Sequence, residues 1–190
     1  MRAKVVDITH TQMLEGCLRQ EAVSQRQLYE KYYQTMCWVC FRYVKDQGTA
    51  EDLVHEGFVK VFKNLERFRK QGSLEGWIKR IMINGCLDHL RKQNRWSNEV
   101  PLVFAEGEPV PAQAVSYLQA EYILECVQQL PPLLRSVFNL NVIEGYPHKD
   151  IGRMLNIKES TSRAYLTEAK KSLRKVLQHY RSENKKLQNG

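Results

Sequence analysis

Apolar residues recur every three or four positions along most of this chain, and a few short polar stretches divide the pattern into helices. Leu28, Tyr32, Met36, Val39, Cys40 and Tyr43 form one such stripe, which predicts a helix from about Ser24 to Val44. Asp46, Gln47, Gly48 and Thr49 end it and cap the next. The second helix, Ala50 to about Leu65, turns Ala50, Leu53, Val54, Gly57, Phe58, Val61 and Phe62 to a core. Its opposite face is acidic, with Glu51, Asp52 and Glu56 beside His55 and an apolar Val59. After the break at Lys70, Gln71 and Gly72, Ser73 suits the N-cap of a third helix running to about Lys92. Leu74, Trp77, Ile78, Ile81, Met82 and Gly85 make its apolar stripe.

Periodicity then lapses. Residues 96–115 carry Pro101, Pro109 and Pro111 and read as a linker. Helix resumes near Ser116 with Tyr122, Ile123, Val127 and Leu130. Pro131 and Pro132 break and restart it, and Leu133, Leu134, Val137, Phe138 and Asn141 continue the spacing. The run GYPHKDIGRMLNIKESTSRAYLTEAKKSLRK, Gly145 to Lys175, predicts a short helix from Pro147 to Leu155 that buries Ile151 and Leu155. Asn156 fits a left-handed turn, and Gly152 suits a close crossing of two helices. A second helix from about Glu159 offers Leu166, Ala169 and Leu173 inward and Thr161, Arg163, Tyr165 and Lys170 outward. That is a helix-turn-helix with a polar, basic second helix of the kind that enters a major groove.

Charge sharpens this division. The 190 residues carry formal net charge +8, which favours a polyanionic partner. From Lys60 to Arg95 ten basic residues face three acidic ones, whereas from Trp96 to Leu134 there are five glutamates and no Lys or Arg. Five cysteines, Cys17, Cys37, Cys40, Cys86 and Cys126, fall mostly in apolar helical patterns and read as reduced core thiols. Cys37 and Cys40 form a CxxC, but no second CxxC or His pair follows at zinc-ligand spacing. His55-Glu56 starts like a metalloprotease HExxH, yet Val59 stands where the second His is needed. With no glycine-rich phosphate loop and no nucleophile, base and orienter set, neither an enzyme nor a cofactor or small-molecule substrate is expected. The opening MRAKVVDITHTQ has no unbroken apolar run, and no segment approaches the roughly 20 apolar residues of a membrane span, so membrane insertion is not expected either.

Two groups of motifs in order give a resemblance. LYEKYY, GTAEDLVHEGFVKVFKNLERF and SLEGWIKRIMINGCLDHLRK look like the second conserved region of bacterial RNA polymerase sigma factors of the small, extracytoplasmic-function type. LPPLLRSVFNL with the helix-turn-helix run looks like the fourth. The resemblance implies an all-α chain of two small helical domains joined by a flexible acidic linker. Residues 20–95 would be the region 2 bundle, 96–115 the linker, 116–182 the region 4 helix-turn-helix domain and 183–190 a disordered tail.

By the same resemblance the implied partners are core RNA polymerase, promoter DNA and an anti-sigma factor, in the bacterial cytoplasm. Asp52, Leu53, Val54, His55, Glu56 and Val59 would dock on the polymerase, where acids beside an apolar residue suit a cationic protein surface and repel phosphate. Arg69, Ser73, Trp77, Lys79, Arg80, Asn84, Asp88, Arg91 and Lys92 would hold the melted upstream-ten strand, whose flipped bases need donors, acceptors and nearby cations. His148, Lys149, Lys158, Glu159, Ser160, Thr161, Ser162, Arg163, Ala164, Tyr165 and Lys170 would meet the upstream-thirty-five duplex, Arg163 suiting a guanine or a phosphate and Glu159 a cytosine amino group. The linker would thread toward the polymerase's RNA path as a polyanion or serve as a plain tether. Three positions depart from the family pattern: Lys158 where a capping Ser or Thr is common, Ser162 where Val is frequent, and Glu168 where Arg is frequent. The alternative is a stand-alone helix-turn-helix regulator of duplex operator DNA.

Overall fold

The computed structural model describes residues 11–68, 72–93 and 118–188. Residues 11–18 form α1, and α2 spans Ala22–Val44. Lys45 takes a positive φ of 63°, which stops α2. Asp46 then caps α3, Gln47–Asn64, by accepting a hydrogen bond from the Thr49 N–H at 2.6 Å. A hydrogen bond from the Thr49 side chain, and then the one from its N–H, hold the Asp46 carboxyl below its usual range. The cap thus lies where the polar run predicted it, but the helix starts three residues earlier than Ala50.

A connection of two residues makes α2 and α3 an antiparallel hairpin. Leu28, Met36, Val39, Cys40 and Tyr43 of α2 pack with Ala50, Val54, Phe58 and Val61 of α3, all at most 2% exposed. A 3-10 turn, Leu65–Arg67, follows, and then α4, Leu74–Lys92. Ser73 Oγ accepts from the Gly76 N–H at 3.0 Å, the cap expected of it. The buried stripe of α4 is Leu74, Ile78, Met82, Ile83, Cys86, Leu87 and Leu90. It is rotated from the predicted stripe, and Trp77, Ile81 and Gly85 lie at its margin. Gly57 explains the fit, because a Cβ there would run into the Met82 side chain.

In the second group, α5 spans Leu118–Gln129 and α6 spans Pro132–Phe138. Buried Arg135 ties them, its Nη1 donating to the Gln128 carbonyl at 2.8 Å. A π turn, Asn139–Ile143, replaces the continued α-helix that the spacing through Asn141 predicts. Then come α7, His148–Leu155, and α8, Glu159–Gln188. Cys126, Val127, Leu130, Leu134, Ala169 and Leu173 form a core of α5, α6 and α8, with Phe138, Tyr165 and Val176 packed against it. α8 stays helical through residues 183–188, where a disordered tail was expected. Lysine, glutamate and leucine are adequate helix formers, and no glycine or proline interrupts them before Gly190.

The chain divides into two compact units, Met1–Asp88 and His89–Gly190. No strand occurs among the described residues, and none of their helices is long and apolar enough to cross a membrane. The cysteines are free thiols, Cys37 half-buried and the others buried. The expected linker, residues 96–115, lies outside the described residues.

Candidate docking and nucleic-acid interfaces

On α3 the helical repeat separates the predicted docking residues into two sets. Asp52, His55 and Glu56 are exposed, and Val59 is 51% exposed, a large apolar side chain left in water. Among the described residues neither Asp52 nor Glu56 has an ion-pair partner. Leu53 and Val54 do not belong to this face. They are 7% and 0% exposed and pack in the core, so the two of them support the surface rather than form it.

The face extends onto α2, which the sequence did not reveal. Tyr29 Oη lies 3.2 Å from His55 Nδ1. The Tyr29 ring stacks on His55 at 5.9 Å and tilts against Phe58 at 4.8 Å. Tyr33 adds a second ring 5.9 Å from His55. Its hydroxyl donates to the Cys37 thiol, which pushes its pKa up to about 12 and keeps it neutral. The result is an acidic face braced by aromatic rings, suited to a protein partner bearing cations and apolar groups.

On α4, Arg80, Asn84, Asp88 and Arg91 follow one another at helical spacing along an exposed face, with Lys92 exposed beyond them. Eleven steps of about 1.5 Å from Arg80 to Arg91 make this row roughly 16 Å long. Lys79 is half-buried. Ser73, exposed, gives its hydroxyl to the helix cap. Trp77 is half-buried too, its ring 5.6 Å from that of Phe68, so it borders both the core and the row. Arg69 lies outside the described residues.

In the helix-turn-helix, α7 ends at Asn156 with φ 54° and ψ 46°, the left-handed turn read from the sequence. The Ile157 N–H returns to the Gly152 carbonyl at 3.0 Å. A Cβ on Gly152 would lie 2.8 Å from the Ile157 carbonyl oxygen and 3.6 Å from the Glu159 nitrogen, so the close approach is to the turn's backbone and the start of α8. Lys149, Lys158, Glu159, Ser160, Arg163, Ala164 and Lys170 are exposed, and Thr161 is half-buried. Tyr165 is partly buried against the core. Ser162 is a correction: fully buried, it cannot reach DNA. Its Oγ sits 2.9 Å from His148 Nδ1, tying α8 to the start of α7. That pairing gives the buried serine hydroxyl a partner. Burial, then the nearby Arg163, hold the His148 imidazole below its usual pKa. Arg163 and Glu159 are bonded to each other one helical turn apart. Glu168 is near Lys171, at 4.0 Å.

Comparison with known proteins bears on both units. The model described as sigma-70 region 2 matches residues 28–96, and that of sigma-70 region 4 matches residues 120–173. The chain is 33% identical over 152 residues to the ECF RNA polymerase sigma factor SigE of Mycolicibacterium smegmatis, covering 76% of this chain and 58% of that protein. It is 27% identical over 179 residues to the RNA polymerase sigma-H factor of Pseudomonas aeruginosa, covering 88% and 93% respectively. Among solved structures, the sigma factor RpoE of Bartonella quintana, in complex with the anti-sigma factor NepR, aligns with a TM-score of 0.54 at 21% identity, over 80% of this chain and 96% of that one. CnrH, in complex with the cytosolic domain of CnrY, aligns with a TM-score of 0.51 at 15% identity, over 88% and 96%. At these identities the structural likeness is one of fold.

Proposed function

The chain belongs to the extracytoplasmic-function group of sigma-70 family factors, and from that premise we propose that it binds core RNA polymerase and directs promoter recognition, melting and initiation in the cytoplasm. The observation that carries the reading is the presence in one chain of an acidic, exposed face on α3 and a basic helix-turn-helix at α7 and α8. A lone operator-binding protein has no use for the first.

In the proposed mechanism, Asp52, His55, Glu56 and Val59 dock on a cationic polymerase surface, with Tyr29 and Tyr33 bracing His55. The row of Arg80, Asn84, Asp88 and Arg91 then meets the melted upstream-ten strand, and Lys92 adds phosphate attraction. Glu159, Ser160, Thr161, Arg163 and Ala164 approach the duplex upstream-thirty-five element, flanked by Lys149, Lys158 and Lys170. The protein itself carries out no bond chemistry in this scheme. An anti-sigma factor is its proposed regulator, since both structural neighbours were solved with a partner chain, named as an anti-sigma factor for one of them.

Binding of labelled protein to bacterial core polymerase tests the reading. Tight binding that is lost in Asp52→Arg and Glu56→Arg is the expected result. No binding to core, alongside salt-dependent binding to duplex DNA, would make the chain a stand-alone regulator instead.

A further inference from the structure

A groove of about 160 Å³ runs between α2 and α3, lined by Tyr33, Cys37, Trp38, Phe41, Gln47 and Glu51 among others. Trp38 is 49% exposed, although indole is the largest apolar surface a side chain can bury. Phe41 stands edge-on to it at 6.2 Å and 79°, which steadies the ring. Glu51 accepts the Gln47 amide at 2.9 Å through Oε1, and its second oxygen has no partner among the described residues. No lysine or arginine lines the groove.

The groove is continuous with the acidic face. Glu51 neighbours Asp52 in sequence and sits one helical turn before His55, and Tyr33 both lines the groove and packs near His55. An exposed indole beside a carboxylate, with no competing cation, matches a guanidinium. Its plane can stack on the ring while its N–H groups donate to the carboxylate. A lysine ammonium has no flat face to stack and holds its water more tightly.

We infer that this groove receives one arginine side chain of the polymerase segment that docks on the α3 face. The inference rests on the docking reading above and adds to it a specific anchor. Trp38 supplies the stacking surface and Glu51 the charge.

The test measures affinity of the full chain for core polymerase. Trp38→Ala is expected to weaken binding about tenfold, and Glu51→Gln several-fold. The double variant should lose less than the product of the two, because both residues hold one group. Trp38→Phe should retain most of the affinity, and unchanged thermal melting of each variant would show that the fold is intact. With p-benzoylphenylalanine in place of Trp38, photocrosslinking should capture a polymerase peptide that contains an arginine. Affinities within twofold of wild type for both single variants, while Asp52→Arg still abolishes binding, would overturn the anchor and leave docking standing. Crosslinking to a peptide without arginine, or independent effects in the double variant, would also overturn it. If the wild-type chain fails to bind core at all, docking and anchor fall together.

Discussion

The acidic face of α3 and the recognition face of α8 hold their charge in opposite ways before any partner arrives. Asp52 and Glu56 stand in water without a cation among the described residues. On α8, Glu159 and Arg163 already neutralise each other across one turn. A bare acidic face presents its full field to an approaching cationic surface, which favours fast encounter and rejects phosphate. A self-paired face is muted at long range and gains only where a base pair replaces the lost partner with comparable hydrogen bonds. The difference teaches a division of labour: one face recruits by charge, and the other selects by exchange.

Reversing the charge should break the first half of that comparison most severely. Asp52→Arg with Glu56→Arg would set like charges against the polymerase at a cost of several kcal/mol, read as loss of core binding in a filter or anisotropy assay with helicity unchanged. Next is the backbone that presents the second face. Gly152→Ala forces a Cβ against a carbonyl oxygen that cannot move without opening the turn, so the second unit should lose about 1–3 kcal/mol, seen by urea unfolding. Gly57→Ala should cost less, because what it meets is the flexible end of Met82.

Two variants divide the α8 pair itself. Arg163→Ala should weaken upstream-thirty-five binding by about 1–3 kcal/mol if it reads a base. Glu159→Gln should release Arg163 and steepen the salt dependence of non-specific binding. Smaller again is a pH effect. Because folding lowers the His148 pKa, the unfolded chain takes up the proton first as pH falls through 6.5, so stability is present above that value and declines below it. His148→Gln should flatten this slope in thermal melts of the full chain. The smallest change is a gain: Lys158→Ser restores an N-cap oxygen and should stabilise α8 by about 0.5–1 kcal/mol.

Features set by near neighbours in the chain were legible in advance. The caps at Asp46 and Ser73, the left-handed Asn156 and the inward Leu166, Ala169 and Leu173 all follow from local chemistry or helical repeat. What escaped depends on where a second element lies. Ser162 looks like one more polar recognition residue until α7 places His148 over it. Trp38 sits beside a true core stripe, and only the seam with α3 makes it one wall of a groove. The rotation of the α4 stripe has the same origin, since Ile83, Cys86, Leu87 and Leu90 are buried by packing that the helical repeat alone does not reveal. The π turn at Asn139 carries no signal in the residue pattern that would distinguish it from continued α-helix.

The two-residue link between α2 and α3 also bears on how the chain is made. Helices that pair with their immediate neighbour close short loops, and such local topologies fold quickly. At a translation rate of roughly 5–20 residues per second, the first unit, Met1–Asp88, leaves the ribosome seconds before the second is complete. Its docking face can therefore form on the nascent chain, so a partner that seizes this face can act before the helix-turn-helix surface exists.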